Sequence, residues 1–86
     1  MYAVVFELDT ESLGLYDEIG ALLEEYGFTR QQSGVYFGNE KINAVTCVLA
    51  AIEVARSLPW FTAAVREIRM LRIEELNDLM PAVRQG

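Results

Sequence analysis

Histidine is absent from this 86-residue chain, and with it goes every mechanism that uses imidazole as acid, base or metal ligand near neutral pH. A single cysteine, Cys47, is present, so no internal disulfide can form and no spaced set of thiolates exists to hold zinc. Its apolar neighbours mark it as a buried, inert thiol. No apolar run approaches the ~20 residues that a membrane helix needs. Neither a basic leader nor a cleavage pattern stands at the start, so a cytoplasmic location without membrane contact is expected. Repeats, linkers and low-complexity tracts are missing too.

What is there is globular: 52% hydrophobic against 23% charged residues. The length suits one domain over 1–86, and a domain of this size buries only about 60% of the surface its unfolded chain exposes. A second copy would add burial. Net charge is −6, unevenly spread: residues 1–29 hold seven acids and no base, and the remainder holds six acids and seven bases. A polyanion repels such a chain at long range, so strong nonspecific DNA binding is not expected. Local phosphate contacts from the arginine-bearing half are compatible with it.

Side chains alternate along a strand. In the opening MYAVVFELD, Tyr2, Val4, Phe6 and Leu8 therefore share one face, and Ala3, Val5, Glu7 and Asp9 the other. Asp9, Thr10 or Ser12 can cap a helix with the stripe Leu15, Ile19, Leu22, Leu23 and Tyr26, ended by Gly27. Gly20 inside it implies close approach to the sheet. Phe28 to Arg30 and Val35 to Phe37 flank Gln31-Gln32-Ser33-Gly34, a hairpin connection with a glycine for a left-handed position. Asn39 is expected to cap a second helix with the stripe Ile42, Val45, Leu49 and Ile52, widened by Val48, Ala51 and Ala55, stopping near Ser57 ahead of Pro59. Trp60 and Phe61 read as core or interface anchors. A last strand is predicted over Val65 to Ile73. A short helix carrying Leu76, Leu79, Met80 and Val83 follows, limited by Pro81.

Strand, helix, strand, strand, helix, strand is the split βαβ order (βαββαβ). It predicts an α+β, ferredoxin-like fold with a four-stranded antiparallel sheet and two helices on one face. The helices cover one side only, so the Ala3 and Val5 side would be left apolar and wet, which a homodimer packed sheet to sheet would relieve. Ala3 and Val5 then become interface residues. Glu7, an acid on an otherwise dry face, needs hydration, a partner or a cation. Facing its symmetry mate, it could share a divalent metal that polarises a phosphate or activates water.

Three blocks of residues resemble the virulence-associated protein D (VapD) family over nearly the whole chain: Met1-Tyr2-Ala3 through Phe6; Tyr16 and Ile19-Gly20-Ala21, continuing to Tyr26-Gly27-Phe28, Arg30, Gln32 and Tyr36; and Trp60-Phe61 with Val65-Arg66-Glu67-Ile68-Arg69 and Arg72-Ile73-Glu74. The resemblance implies a ferredoxin-like homodimer, related in fold to the small CRISPR-associated adaptation nuclease. It also implies endoribonuclease activity, in some members as the toxin of a toxin–antitoxin pair. The family's first-strand Asp stands here as Glu7, one methylene longer, and its Gln-Gly-Ser as Gln32-Ser33-Gly34.

On that footing the expected catalytic groups are Glu7 and Asp9, with Mg or Mn at Glu7 or Glu7 acting as general base. Arg30, Gln32 and Ser33 of the hairpin and Arg66 and Arg69 of the last strand are the expected contacts to RNA phosphate and sugar. On an ideal strand Arg66 and Arg72 share a face and Arg69 takes the other. The alternative is a catalytically weak dimer that binds a protein, such as a cognate antitoxin or an assembly component.

Overall fold

The opening run forms strand β1, Tyr2–Leu8. The computed structural model of the chain describes residues 1–9 and 13–85. Helix α1, Leu13–Tyr26, leads to a hairpin of β2, Phe28–Gln32, and β3, Val35–Gly38. Helix α2, Ala44–Ser57, and a single turn α3, Phe61–Ala64, precede β4, Val65–Arg72, and a short α4, Met80–Gln85. The strands make one antiparallel sheet in the order β2-β3-β1-β4. This is the α+β, ferredoxin-like arrangement that the element order predicts, with β1 in the interior of the sheet.

Val4, Phe6 and Leu8 are buried against Ile19 and Leu23 of α1 and against Cys47, Ala50 and Val54 of α2. Each fully buried large apolar side chain contributes roughly 1.5–3 kcal/mol, so this cluster fixes how the helices lie on the sheet. Phe6 meets the rings of Tyr36 and Phe61 edge-on, with centroids 6.0 and 5.7 Å away. Phe61 is thus a core residue, and Trp60 meets it edge-on at 6.0 Å. Gly20 lets α1 approach Tyr36: a Cβ there would stand 3.4 Å from the ring.

Thr10 and Ser12, offered as caps of α1, lie outside the described residues. Several other expectations are corrected. The cap of α2 is Asn43, whose Oδ1 accepts from Thr46 N–H at 2.9 Å; Asn39 instead accepts from Lys41 N–H at 2.8 Å. The chain must turn there because Ile42 folds down tightly over Gly38. The sheet-facing side of α2 is the small-residue row Cys47, Ala50 and Val54, while Val45, Val48, Leu49 and Ile52 of the expected core stripe face outward. Pro81 lies in the first turn of α4 and opens the helix rather than closing one. Asp78 Oδ1 accepts from Met80 N–H at 2.9 Å.

The other sheet face carries Ala3, Val5, Phe37 and Leu71. Ala3 has no exposed surface in the single chain, flanked by Phe37 and Leu71, its partners on β3 and β4. Among the described residues no helix is long and apolar enough to cross a membrane.

Candidate active site

The polar residues singled out in the sequence gather at one end of the sheet, and two irregularities in pairing decide which of them meet. In β4, Glu67 pairs with Glu7 and Val65 with Leu8, so Arg66 is an inserted residue. Such a bulge re-aims the side chain it carries. Arg66 reaches both predicted acids, placing Nε 3.2 Å from Asp9 Oδ1 and Nη1 3.7 Å from Glu7 Oε1. Strict alternation would have sent it to the helix side with Arg72, which pairs with Tyr2.

The bulge also explains the electrostatics. Glu7 and Glu67 are directly opposite across the strand pair, and like charges in that position repel. Arg66 binds Glu7, and Arg69, opposite Val5 on the same face, pairs with Glu67. Two cations thus interleave two facing acids. Glu67 was not among the site residues expected from the sequence, because only the register reveals that it faces Glu7.

A second irregularity falls in β2, where Arg30 pairs with Tyr36 but Gln32 with Val35, leaving Gln31 over. Arg30 and Gln32, two apart, would otherwise share a face. Instead Arg30 lies on the helix side, bound to Asp17 of α1, and its Nη2 donates to Ser33 Oγ at 3.2 Å. The Asp17 carboxylate raises the Arg30 pKa above its ordinary value. Gln32 goes to the open face with Val35, the partner of Val5. The structure therefore brings together Glu7, Asp9 and Arg66, sets Arg69 two residues along, and separates Arg30 and Ser33 onto the other side.

This end of the sheet is firmly held. Gly34, at φ +82°, accepts from Phe6 N–H at 2.8 Å, and a Cβ on it would run into the Phe6 carbonyl oxygen. Two residues on, β3 has ended, and the phenol of Tyr16 takes its place, accepting from Leu8 N–H at 3.2 Å. The Tyr36 hydroxyl donates to the Tyr16 carbonyl at 3.0 Å, and burial pushes the Tyr36 phenol pKa up. Burial does the same for the Cys47 thiol, which suits an inert core residue and not a nucleophile. Asp9 is anchored by its own N–H, donating to the Ala64 carbonyl at 2.7 Å.

Chemically the cluster offers two carboxylate acceptors beside a guanidinium, all exposed at the sheet rim. Among the described residues no group of three metal-ligating side chains forms. Two carboxylates suit a Mg²⁺ ion that completes its shell with water and phosphate, so Glu7 and Asp9 would hold it, in competition with Arg66.

No family model matches the chain. It is 48% identical to the "Endoribonuclease VapD homolog" of Helicobacter pylori, across 98% of this chain and 97% of that protein. Identity is 45% to "Endoribonuclease VapD 2" of Riemerella anatipestifer, across 96% and 99%. To "Endoribonuclease VapD" of Dichelobacter nodosus it is 33%, across 98% of both. Likeness of this degree along nearly the entire length of both partners leaves no room for a shared fragment on an unrelated domain, and the chain belongs to the VapD family.

Proposed function

We propose that this protein is an endoribonuclease that cuts RNA as a homodimer in the cytoplasm, serving as the toxin of a toxin–antitoxin pair. The observation that carries the nuclease reading is the Arg66 bulge, which sets one guanidinium against two carboxylates at an exposed rim. Family membership supports the substrate class, and the dimer and toxin roles rest on the family resemblance. A phosphodiester laid over this rim exchanges a non-bridging oxygen for the Glu7 carboxylate on Arg66, while Asp9 stays bound to Nε. Glu7, released, accepts the proton of the attacking oxygen, a ribose 2′-OH or a water, as that oxygen bonds phosphorus and the bond from phosphorus to the leaving oxygen breaks, the departing oxygen taking a proton from water. Arg66 neutralises the charge that builds on phosphorus, and Asp9 keeps the guanidinium aimed. Arg69 and Gln32 lie on the same face to meet the flanking backbone. A divalent cation held by Glu7 and Asp9 would polarise the same phosphate.

Labelled single-stranded and hairpin RNA, incubated with magnesium, with manganese and with chelator, tests this directly. Wild type cuts, and Glu7→Gln slows cutting about 10²–10⁴-fold, the usual worth of a general base. Cutting undiminished by Glu7→Gln would remove the carboxylate from the mechanism. A wild type that never cuts would favour the protein-binding alternative, for which the outward apolar side of α2 is the supporting observation.

A further inference from the structure

The Glu7 and Asp9 side chains are 55 and 61% exposed, so packing does not aim their carboxylates and the backbone beneath them must. That backbone leaves the regular sheet on both sides. Toward β3 the last bond is from Phe6 N–H to the Gly34 carbonyl, and toward β4 the pairing slips between Glu7 and Leu8. Donors along a strand alternate between its two edges, so Leu8 N–H points to where β3 no longer runs. An amide left there without an acceptor costs free energy comparable to a lost hydrogen bond.

Helix α1 supplies the missing acceptor. The phenol oxygen of Tyr16 accepts from Leu8 N–H at 3.2 Å, while on the other edge the Ala64 carbonyl accepts from Asp9 N–H at 2.7 Å. The Leu8 amide belongs to the peptide plane that follows the Glu7 Cα, so fixing it fixes the direction in which the Glu7 side chain leaves. Tyr16 is itself held at three points. Its ring is half-buried against the core cluster, its Cε1 lies so near Gly34 that a Cβ there would stand 3.1 Å away, and its carbonyl accepts from the Tyr36 hydroxyl at 3.0 Å. The next residue, Asp17, binds Arg30 of β2, which ties the first turn of α1 to the hairpin as well. The phenol therefore has little freedom to move relative to the sheet.

We propose that Tyr16 is a positioning residue for RNA cleavage: its hydroxyl stands in for an absent β3 carbonyl and holds the Glu7–Leu8 peptide so that Glu7 meets Arg66 and the scissile phosphate. It acts through Glu7 and touches neither the phosphate nor the attacking oxygen. This rests on the nuclease reading above and adds a residue which that reading leaves without a role. Misplacing a reacting group by about 1 Å can cost on the order of 10²-fold in rate. Loss of one phenol oxygen should thus show in the rate and not in the affinity for RNA.

Tyr16→Phe deletes that oxygen and keeps the ring beside Gly34. Single-turnover cutting of a labelled RNA over a range of enzyme concentrations gives the maximal rate and the half-saturation point separately, for wild type, Tyr16→Phe, Glu7→Gln and the double variant. The expected result for Tyr16→Phe is a maximal rate lowered about 10–100-fold, with half-saturation within about twofold of wild type. In the Glu7→Gln background the same change should cost less than about twofold, because groups that act as a unit are not additive. A merely structural role would slow both backgrounds alike. Amide hydrogen exchange reads the contact independently of activity: Leu8 N–H should be protected in wild type and exchange faster in Tyr16→Phe, with Phe6 N–H unchanged. An unprotected Leu8 N–H in wild type, a Tyr16→Phe rate within about twofold of wild type, or equal losses in both backgrounds overturns the role of Tyr16 and leaves the nuclease standing. A wild type that never cuts overturns the nuclease reading itself, and this role with it.

Discussion

Replacing Arg66 by alanine separates the catalytic from the structural worth of the bulge. The guanidinium contacts Asp9 at 3.2 Å and Glu7 at 3.7 Å, and the three side chains are 62, 61 and 55% exposed. No charge is buried by its removal, so the cost is that of two exposed ion pairs at about 0.2–1 kcal/mol each, plus the uncovered repulsion between Glu7 and Glu67. A total of about 1–2 kcal/mol lowers the melting temperature of a domain this size by roughly 4–16 °C. Cleavage answers differently, because a cationic donor aimed at developing phosphate charge is worth about 10²–10³ in rate. Single-turnover cutting of a labelled RNA well below the melting transition, beside a thermal scan, reads the two numbers independently. Arg66→Lys keeps the charge without the fork and falls between. Cleavage by Arg66→Ala within about threefold of wild type would refute transition-state binding. A stability loss above about 4 kcal/mol would make the residue structural.

Two further outcomes follow from the same corner of the fold. Gly34→Ala forces a side chain into a φ of +82° and against the Phe6 carbonyl; left-handed strain of about 1–2 kcal/mol and a disturbed Phe6–Gly34 hydrogen bond worth about 1 kcal/mol should lower urea stability by at least about 2 kcal/mol, and a loss under about 0.5 kcal/mol would contradict that geometry. Tyr36 is raised above its ordinary 10.0 by burial, so the folded chain holds this proton more tightly than the unfolded one. Its stabilisation is complete below pH about 10 and fades as pH rises through the folded-state value. Urea midpoints at pH 8 and pH 11 should fall more steeply for wild type than for Tyr36→Phe, and parallel profiles would sink the assignment.

The element order was legible because each segment has local punctuation. Gly27 and Gly34 both adopt positive φ where the chain turns, and β4 begins at the expected Val65. The faces of α2 were not legible, because a helix apolar on all sides has no phase from which to choose; the tight approach to the sheet selects Cys47 and Ala50 over the larger Leu49 and Ile52. Of the candidate site, the acids of β1 could be named from alternation alone. Their guanidinium partner depends on one unpaired residue in β4, and the parting of Arg30 from Gln32 on another in β2. Insertions of that kind leave no periodic trace, since they arise from how two strands fit, not from either one.

Because β4 is a margin of the sheet, one side of its eight-residue backbone has no neighbouring strand, and such a margin can recruit a foreign strand. Four of its residues are ionic, Arg66, Glu67, Arg69 and Arg72, interspersed with Ile68, Met70 and Leu71. Any polypeptide adding itself there would have to strip water from that charged row. The arginines of this strand thus guard against fibre growth, and neutralising several of them together should favour filaments over separate molecules.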